Sequence, residues 1–241
     1  MKPRRFEAAA SGRYGRTVAD RTDDLNDAVR ELIDVVRTAD LSEVDLDTAI
    51  AQVTAIADGL RPYVVPGLRM QATLHMSEEF MAHRDEEVPV GMGDADPADF
   101  FPYSPVIGAK NPIAPPVHMW RVPADSGIEM HGEVTMRAAY NGPPGSVHGG
   151  IIAEVMDELL GATAVCNDAA GFTGTLTVIY RSPTPLEEPL TMRGWIDRIE
   201  GRKTFAKGEI RHGEVLCAEA EGIFIGFDRD EFVRRRTADL G

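Results

Sequence analysis

Apolar residues recur at helical spacing in two stretches near the start of the chain. The second stretch runs from about Asp45 to Leu60 and places Ile50, Val53 and Ile56 on one side. Spacings of three and four residues are typical of amphipathic α-helices. We therefore expect a helical hairpin over residues 19–62, preceded by a flexible basic arm at residues 1–18. The first helix, from Asp20 to about Thr38, carries its apolar residues at Leu25, Val29, Leu32, Ile33 and Val36.

Alternating apolar positions, which indicate strands, begin after a stretch rich in proline and glycine. Prolines at this density exclude regular structure, so we expect an extended linker over residues 63–110. An apolar helix from about His148 to Val165 interrupts the strands, and the last three strands have the close spacing of an antiparallel meander. One long helix against a curved antiparallel sheet, an α+β fold, accounts for residues 111–228. A charged tail at 229–241 follows. The strands are predicted at residues 118–122, 128–140, 173–180, 190–199, 204–211 and 215–227.

Composition and charge narrow the classes of function. The chain has 241 residues, of which 43% are hydrophobic and 27% charged, as in ordinary globular proteins. A formal net charge of -14 argues against nucleic acid and anionic membranes as partners. An anionic ligand must then be met by a local cluster of Arg or Lys. Because the N-terminus lacks a signal-peptide core and no apolar run is long enough to span a bilayer, we expect a cytoplasmic protein.

The two cysteines, Cys166 and Cys217, have neither the spacing of a metal site nor that of a disulfide framework. We expect both to be small buried apolar residues in a reducing compartment.

The apolar helix contains a carboxylate, Asp157, on a face made of small residues. At about 100° per residue, the bulky residues of this helix lie on the opposite side. A ligand or a second backbone can therefore approach Asp157 closely. Glu154 and Glu158 lie to one side and look like a solvated edge, so Asp157 is the preferred functional acid. The face around Asp157 comprises five residues, of which four are Gly or Ala: Gly150, Ala153, Leu160, Gly161 and Ala164.

The same helix begins at His148-Gly149-Gly150, nine residues before Asp157. Free backbone N–H groups at a helix start can stabilise an oxyanion, and a carboxylate two turns further on can act as base or nucleophile. Taken singly, the acid is compatible with an exposed position and the glycines with a tight turn. Their combination favours acyl chemistry.

Several motifs between residues 105 and 227 extend this pattern. They are Asn111-Pro112, Tyr140-Asn-Gly-Pro-Pro-Gly145, Val147-His148-Gly149-Gly150, Asp157-Glu158, Thr173-Gly174, Tyr180-Arg-Ser-Pro-Thr-Pro-Leu186 and Gly201-Arg202-Lys203. With these motifs the region resembles the hotdog-fold acyl-CoA thioesterases, in particular the PaaI-type branch and the thioesterase superfamily members of mammals. The first hundred residues lie outside the resemblance.

The resemblance implies a fold and a set of catalytic residues. The helix packs inside the sheet, two protomers join their sheets, and the active site lies at the dimer interface. The Gly149 amide polarises the thioester carbonyl, with His148 shaping the turn and helping to hold the carbonyl. Asp157 matches the catalytic carboxylate and comes from the other subunit relative to Gly149. Thr173 matches the residue that orients water.

The candidate substrate-binding residues match the family motifs less specifically than the catalytic residues do. Many relatives place Asn or Gln six residues before the histidine, where this chain has Gly142, so Asn141 is a candidate one residue out of register. Gly150 and Glu158 are further candidates. Arg181, Arg202 and Lys203 are the basic residues nearest to the motifs and are candidates for the CoA phosphates.

The function expected from the sequence is hydrolysis of acyl-CoA thioesters by a homodimer or dimer of dimers, with no metal and no cofactor. Whether Asp157 acts as general base or as nucleophile stays open, as does the choice between a positioning and a base role for His148. A non-catalytic acyl-CoA-binding protein is the alternative. A dehydratase is disfavoured because Asn111-Pro112 has no histidine after it before His118.

Overall fold

The computed structural model describes residues 18–66, 69, 71, 96–115, 117–125 and 127–226. Apart from Val18, the predicted basic arm lies outside the described residues, as does the whole predicted charged tail.

Two helices form the N-terminal part of the chain, as predicted. Helix α1 spans Val18–Thr38 and helix α2 spans Leu46–Leu60, followed by a 3-10 turn at Arg61–Tyr63. The Asp45 side chain caps α2 by accepting a hydrogen bond from the Thr48 N–H at 3.1 Å, which satisfies one of the free donors at a helix start. Helix α2 buries none of its residues.

The described part of the predicted linker differs from an extended connection. Pro97–Phe100 forms one helical turn, α3, which Asp96 caps through the Ala98 N–H. The side chains of Val106 and Ile107 are buried in the hydrophobic core. This segment therefore packs against the sheet-and-helix unit, because its apolar side chains gain more from burial than from an exposed path.

In the part of the chain that the structure describes, six strands form one antiparallel sheet in the order β1-β2-β4-β5-β6-β3. The predicted meander of the last three strands is confirmed. Strand β2 ends earlier than predicted because Ala138–Tyr140 forms a 3-10 turn. The strands are β1 His118–Ala124, β2 Gly127–Thr135, β3 Phe172–Tyr180, β4 Pro189–Glu200, β5 Lys203–His212 and β6 Val215–Ile225.

Helix α4, Gly149–Cys166, packs across this sheet and supplies much of the core. A Cβ at Gly194 of β4 would lie 2.6 Å from the Thr163 hydroxyl and 3.2 Å from Leu159 Cγ, so the helix approaches as closely as it does because β4 has a glycine there. Burial of each large apolar side chain stabilises the fold by about 1.5–3 kcal/mol. These features confirm the α+β prediction. The buried residues of α4 are Ile152, Val155, Met156, Leu159, Leu160, Ala162, Thr163 and Ala164.

Strand β3 lies at one edge of the sheet and pairs with β6 only, within the described residues. Most of its side chains are exposed, including Phe172 and Tyr180 at the two ends of the strand. An exposed apolar edge strand offers unpaired backbone groups to a second chain.

Candidate active site

His148 is the N-cap of helix α4. Its Nδ1 accepts a hydrogen bond from the Gly150 N–H at 2.9 Å. A neutral imidazole accepts at one nitrogen only, so the ring proton lies on Nε2 in this arrangement. The His148 N–H donates to the Tyr140 carbonyl at 2.9 Å, which ties the helix start to the preceding loop. The hydrogen bond from the Gly150 N–H favours the positioning role for His148 over the base role, because the Nδ1 atom already accepts that bond.

The two glycine amides at the start of α4 differ in their hydrogen bonding. Gly149 occupies the first helical position, where an α-helix offers the N–H no partner of its own. The Gly150 N–H is held by His148 instead. The Gly149 carbonyl accepts a hydrogen bond from the Tyr180 hydroxyl at 2.8 Å. Tyr180 belonged to a recognised motif, but sequence reasoning assigned it no role.

Asp157 and Thr173 are in direct contact. The Thr173 hydroxyl donates to Asp157 Oδ1 at 2.9 Å, from the start of β3 to the middle of α4. The pairing of β3 with β6 shifts register between Thr173 and Thr175, which leaves Gly174 as a β-bulge. A bulge redirects neighbouring side chains, and bulges are frequent beside active sites. The structure thus brings together the predicted acid and the predicted water-orienting residue.

Glu158 does not lie on a solvated edge, and that interpretation was wrong for this residue. Its carboxylate accepts a hydrogen bond at 3.0 Å from the hydroxyl of Ser104, a fully buried residue. Burial raises the pKa of Glu158 to about 6, against its ordinary 4.5. Glu154, by contrast, is exposed. Sequence reasoning missed Ser104 because nothing in its neighbourhood signals a partner 54 residues further along the chain.

Asn141 contacts helix α1. Its Oδ1 accepts a hydrogen bond from Arg37 Nη2 at 2.6 Å, and its Nδ2 donates to the Gly142 carbonyl at 3.1 Å. Position 142 requires glycine because the backbone of His148 lies close to it: a Cβ at position 142 would lie 2.6 Å from His148 Cα. Arg37 was not foreseen as a neighbour of the site, since it precedes Asn141 by 104 residues.

The three basic candidates do not converge within one chain. Arg202 Nε donates to the Gly226 carbonyl at 2.9 Å, and the neighbouring Lys203 begins β5. Lys203 and Phe172 both pair with Ile225. The basic pair Arg202 and Lys203 therefore lies near the start of β3, where Thr173 is. Arg181 directly follows the other end of β3, about 26 Å away at 3.3 Å per residue. Its guanidinium is paired with Glu219.

A cavity of about 500 Å³ lies elsewhere, and none of the predicted site residues lines it. It separates α1 from the loops before β1 and α4. Within the described ranges, no group of three or more His, Cys, Asp or Glu side chains has the arrangement of a metal site. Both cysteines are free thiols, Cys217 buried and Cys166 half-buried, and burial raises the pKa of Cys166 to about 11. No described helix is long and apolar enough to span a membrane.

The class of protein follows from these features. A long helix wrapped by a six-stranded antiparallel sheet, with a capped Gly-Gly helix start and an acid in mid-helix, defines a hotdog-fold protein. The sequence profile of the thioesterase superfamily matches residues 144–219.

Two curated relatives match part of this chain. Acyl-coenzyme A thioesterase THEM4 of Xenopus laevis is 41% identical over 86 residues, which cover 35% of this chain and 39% of that protein. The Bos taurus THEM4 is 34% identical over 92 residues, 37% of this chain and 38% of the relative. This chain thus spans about two fifths of the length of these curated relatives.

One solved structure is similar over most of its length. A crystal structure of a thioesterase superfamily protein is 30% identical, with a TM-score of 0.67, and the match covers 85% of this chain and 94% of that one. The chain therefore belongs to the thioesterase superfamily. Coverage of this extent includes residues N-terminal to the region matched by the profile.

Proposed function

We propose that this protein hydrolyses acyl-CoA thioesters at a site shared by two copies of the chain. One protomer supplies the Gly149 amide, and its partner supplies Asp157 and Thr173. The observation that carries the proposal is the Thr173–Asp157 hydrogen bond at 2.9 Å, at the strand that forms one edge of the sheet in the described part of the chain. The superfamily membership and the naming of the curated relatives as acyl-coenzyme A thioesterases support the same chemistry.

A single chain cannot apply both groups to one carbonyl. Gly149 and Asp157 are separated by about 12 Å along the axis of α4, at 1.5 Å per residue. The acid contacts Thr173 at the start of β3, whereas Gly149 contacts Tyr180 at the end of the same strand. In an antiparallel pair of two β3 strands, the start of each strand lies beside the end of the other. Such pairing unites the acid of one protomer with the amide of its partner.

The proposed hydrolysis uses the positive end of the helix dipole at Gly149 and the negative charge of the Asp157 carboxylate. The Gly149 N–H, at the positive end of the helix dipole, stabilises the oxyanion that forms from the thioester carbonyl. Asp157 accepts a proton from a water molecule oriented by Thr173 while the water oxygen bonds to the carbonyl carbon. The C–S bond breaks, and the CoA thiolate takes the proton from Asp157. Alternatively, Asp157 attacks the carbonyl carbon and expels the thiolate, and water then hydrolyses the mixed anhydride.

Substrate binding involves the remaining candidates in this proposal. Asn141, Gly150 and Glu158 remain candidates for contacts to the substrate, and Arg181, Arg202 and Lys203 offer cations to the CoA phosphates. Antiparallel pairing of two β3 strands brings Arg181 of one protomer toward the basic pair of its partner, which would assemble a local cationic cluster on an acidic protein. The catalytic groups are protein side chains and one amide, so the proposed chemistry involves neither a metal nor a cofactor. A dimer or dimer of dimers and a cytoplasmic location remain predictions.

The decisive experiment measures thiol release from a panel of acyl-CoAs by the wild-type protein and by Asp157→Asn. Loss of a positioned base lowers rates by about 10² to 10⁴-fold, so the variant is expected to lose that much of kcat. Glu154→Gln, an exposed acid on the same helix, is the matched control and is expected to retain kcat. Acyl-CoA binding without thiol release by the wild type would favour the alternative, a non-catalytic acyl-CoA-binding protein.

A further inference from the structure

Helix α1 is attached to the loop before α4 through polar side chains. Arg137, at the start of that loop, donates to Glu31 at 3.0 Å and to Asp34 at 2.6 Å. Four residues further on, Asn141 accepts from Arg37 Nη2 at 2.6 Å. Two successive turns of α1 therefore hold two points of one short loop.

That loop leads directly into the Gly149 amide. Asn141 and Val147 form an antiparallel β-bridge, and the His148 N–H donates to the Tyr140 carbonyl at 2.9 Å. The loop thus closes on itself just before the helix begins. A group that fixes Asn141 also fixes, through these two links, the peptide that precedes Gly149.

The attachment relies on these polar contacts because packing between α1 and the loop is incomplete. The cavity of about 500 Å³ lies between them, lined on the helix side by Ile33 and Asp34 and on the loop side by Arg137 and Tyr140. A donor that stabilises an oxyanion must be held in its productive direction by its surroundings. Where apolar packing leaves a gap, the hydrogen bond from Arg37 supplies part of that support.

We infer that helix α1 is a positioning element for the Gly149 amide, acting through the contact between Arg37 and Asn141. The inference rests on the proposed thioesterase function. Arg37 is exposed, so its contact contributes little to folding. We expect the contact between Arg37 and Asn141 to stabilise the transition state of thioester hydrolysis, because the Gly149 N–H must point at the developing oxyanion.

The test is a double-mutant cycle on thioester hydrolysis with Arg37→Ala, Asn141→Ala and the pair combined. We expect Arg37→Ala to lower kcat about tenfold, with KM and the thermal unfolding midpoint unchanged. Arg37→Lys, which keeps a donor, is expected to recover part of kcat. In the Asn141→Ala background, removal of Arg37 is expected to have no additional effect. Arg21→Ala, an exposed arginine on the same helix, is the control and is expected to match the wild type.

Two results would overturn the inference and leave the proposed function intact. One is an Arg37→Ala variant with wild-type kcat in an assay where Asp157→Asn is inactive. The other is a double-mutant cycle in which the effects of the two substitutions on kcat are independent and multiply. A wild-type protein without thioesterase activity would instead overturn the proposed function, and the inference with it.

Discussion

Gly149 contributes to the proposed site through its backbone N–H alone, and a single substitution can remove that group with little change to the fold. Proline is favoured at the first position of a helix and has no N–H. It requires an extended residue before it, and His148 is already extended, with φ -63 and ψ 134. The site is therefore suited to a test of one hydrogen bond.

We predict that Gly149→Pro lowers kcat for acyl-CoA hydrolysis by about 10² to 10³-fold, the usual cost of losing one oxyanion donor. Gly149→Ala keeps the N–H, and its Cβ would lie in ordinary contact 3.4 Å from the Tyr180 hydroxyl, so it is the matched control. Steady-state kinetics and far-UV circular dichroism of both variants provide the measurement. A proline variant as active as the alanine variant would exclude the Gly149 amide from the mechanism.

At the scale of elements, Glu158 links helix α4 to the segment that follows α3. The Ser104 hydroxyl donates to its carboxylate and also accepts from the Val106 and Ile107 amides, at 3.1 and 3.3 Å. Glu158 therefore holds a turn whose apolar residues complete the core. Desolvation raises its pKa to about 6, and the negative charges of Asp157 and Glu154 act in the same direction.

This raised pKa predicts a pH-dependent stability. The protonated carboxyl is favoured in the folded state, so its contribution is complete below about pH 4.5 and is lost as the pH rises through about 6. A shift of this size corresponds to about 2 kcal/mol. Glu158→Gln cannot ionise, so its free energy of unfolding relative to wild type is expected to increase by up to about 2 kcal/mol between pH 4.5 and 7.5.

Urea unfolding at the two pH values measures this difference, and Glu154→Gln is the control from the exposed side of the same helix. The control is expected to follow the wild type within about 0.5 kcal/mol at both pH values. Equal pH dependence of the free energy of unfolding in Glu158→Gln and the wild type would contradict the assignment of a raised pKa to Glu158.

The elements themselves could be predicted from the sequence because their signals are local. Period-two alternation identified the strands, and the Gly-Gly pair at the end of a loop identified the start of α4. The contacts of Glu158 and Arg37 could not be predicted, since each joins residues far apart in sequence through a single hydrogen bond. Solvated and buried acids also look alike on a helical wheel, because the wheel does not include the segment that covers Glu158.

For the whole molecule, β3 at the sheet edge is the element on which a shared site depends. Its two ends contact the two halves of the proposed machinery, Asp157 through Thr173 and Gly149 through Tyr180. A two-fold axis that pairs β3 with a copy of itself creates two equal sites, each with one contribution from either protomer. The formal charge of -14 opposes association of two copies, so the proposed dimer requires the exposed apolar side chains of this strand to outweigh that repulsion.

Complementation between two inactive variants tests this arrangement directly. In a mixed dimer of Asp157→Asn and Gly149→Pro chains, one site combines both defects and the other combines an intact acid with an intact amide. Random exchange of subunits makes half of the dimers mixed, so the mixture is expected to recover about a quarter of the wild-type kcat per site. Each variant is first measured alone, then the two are denatured together, refolded and assayed for thiol release. If acid and amide acted within one chain, every site in the mixture would contain a defect, and activity would stay at the level of the separate variants.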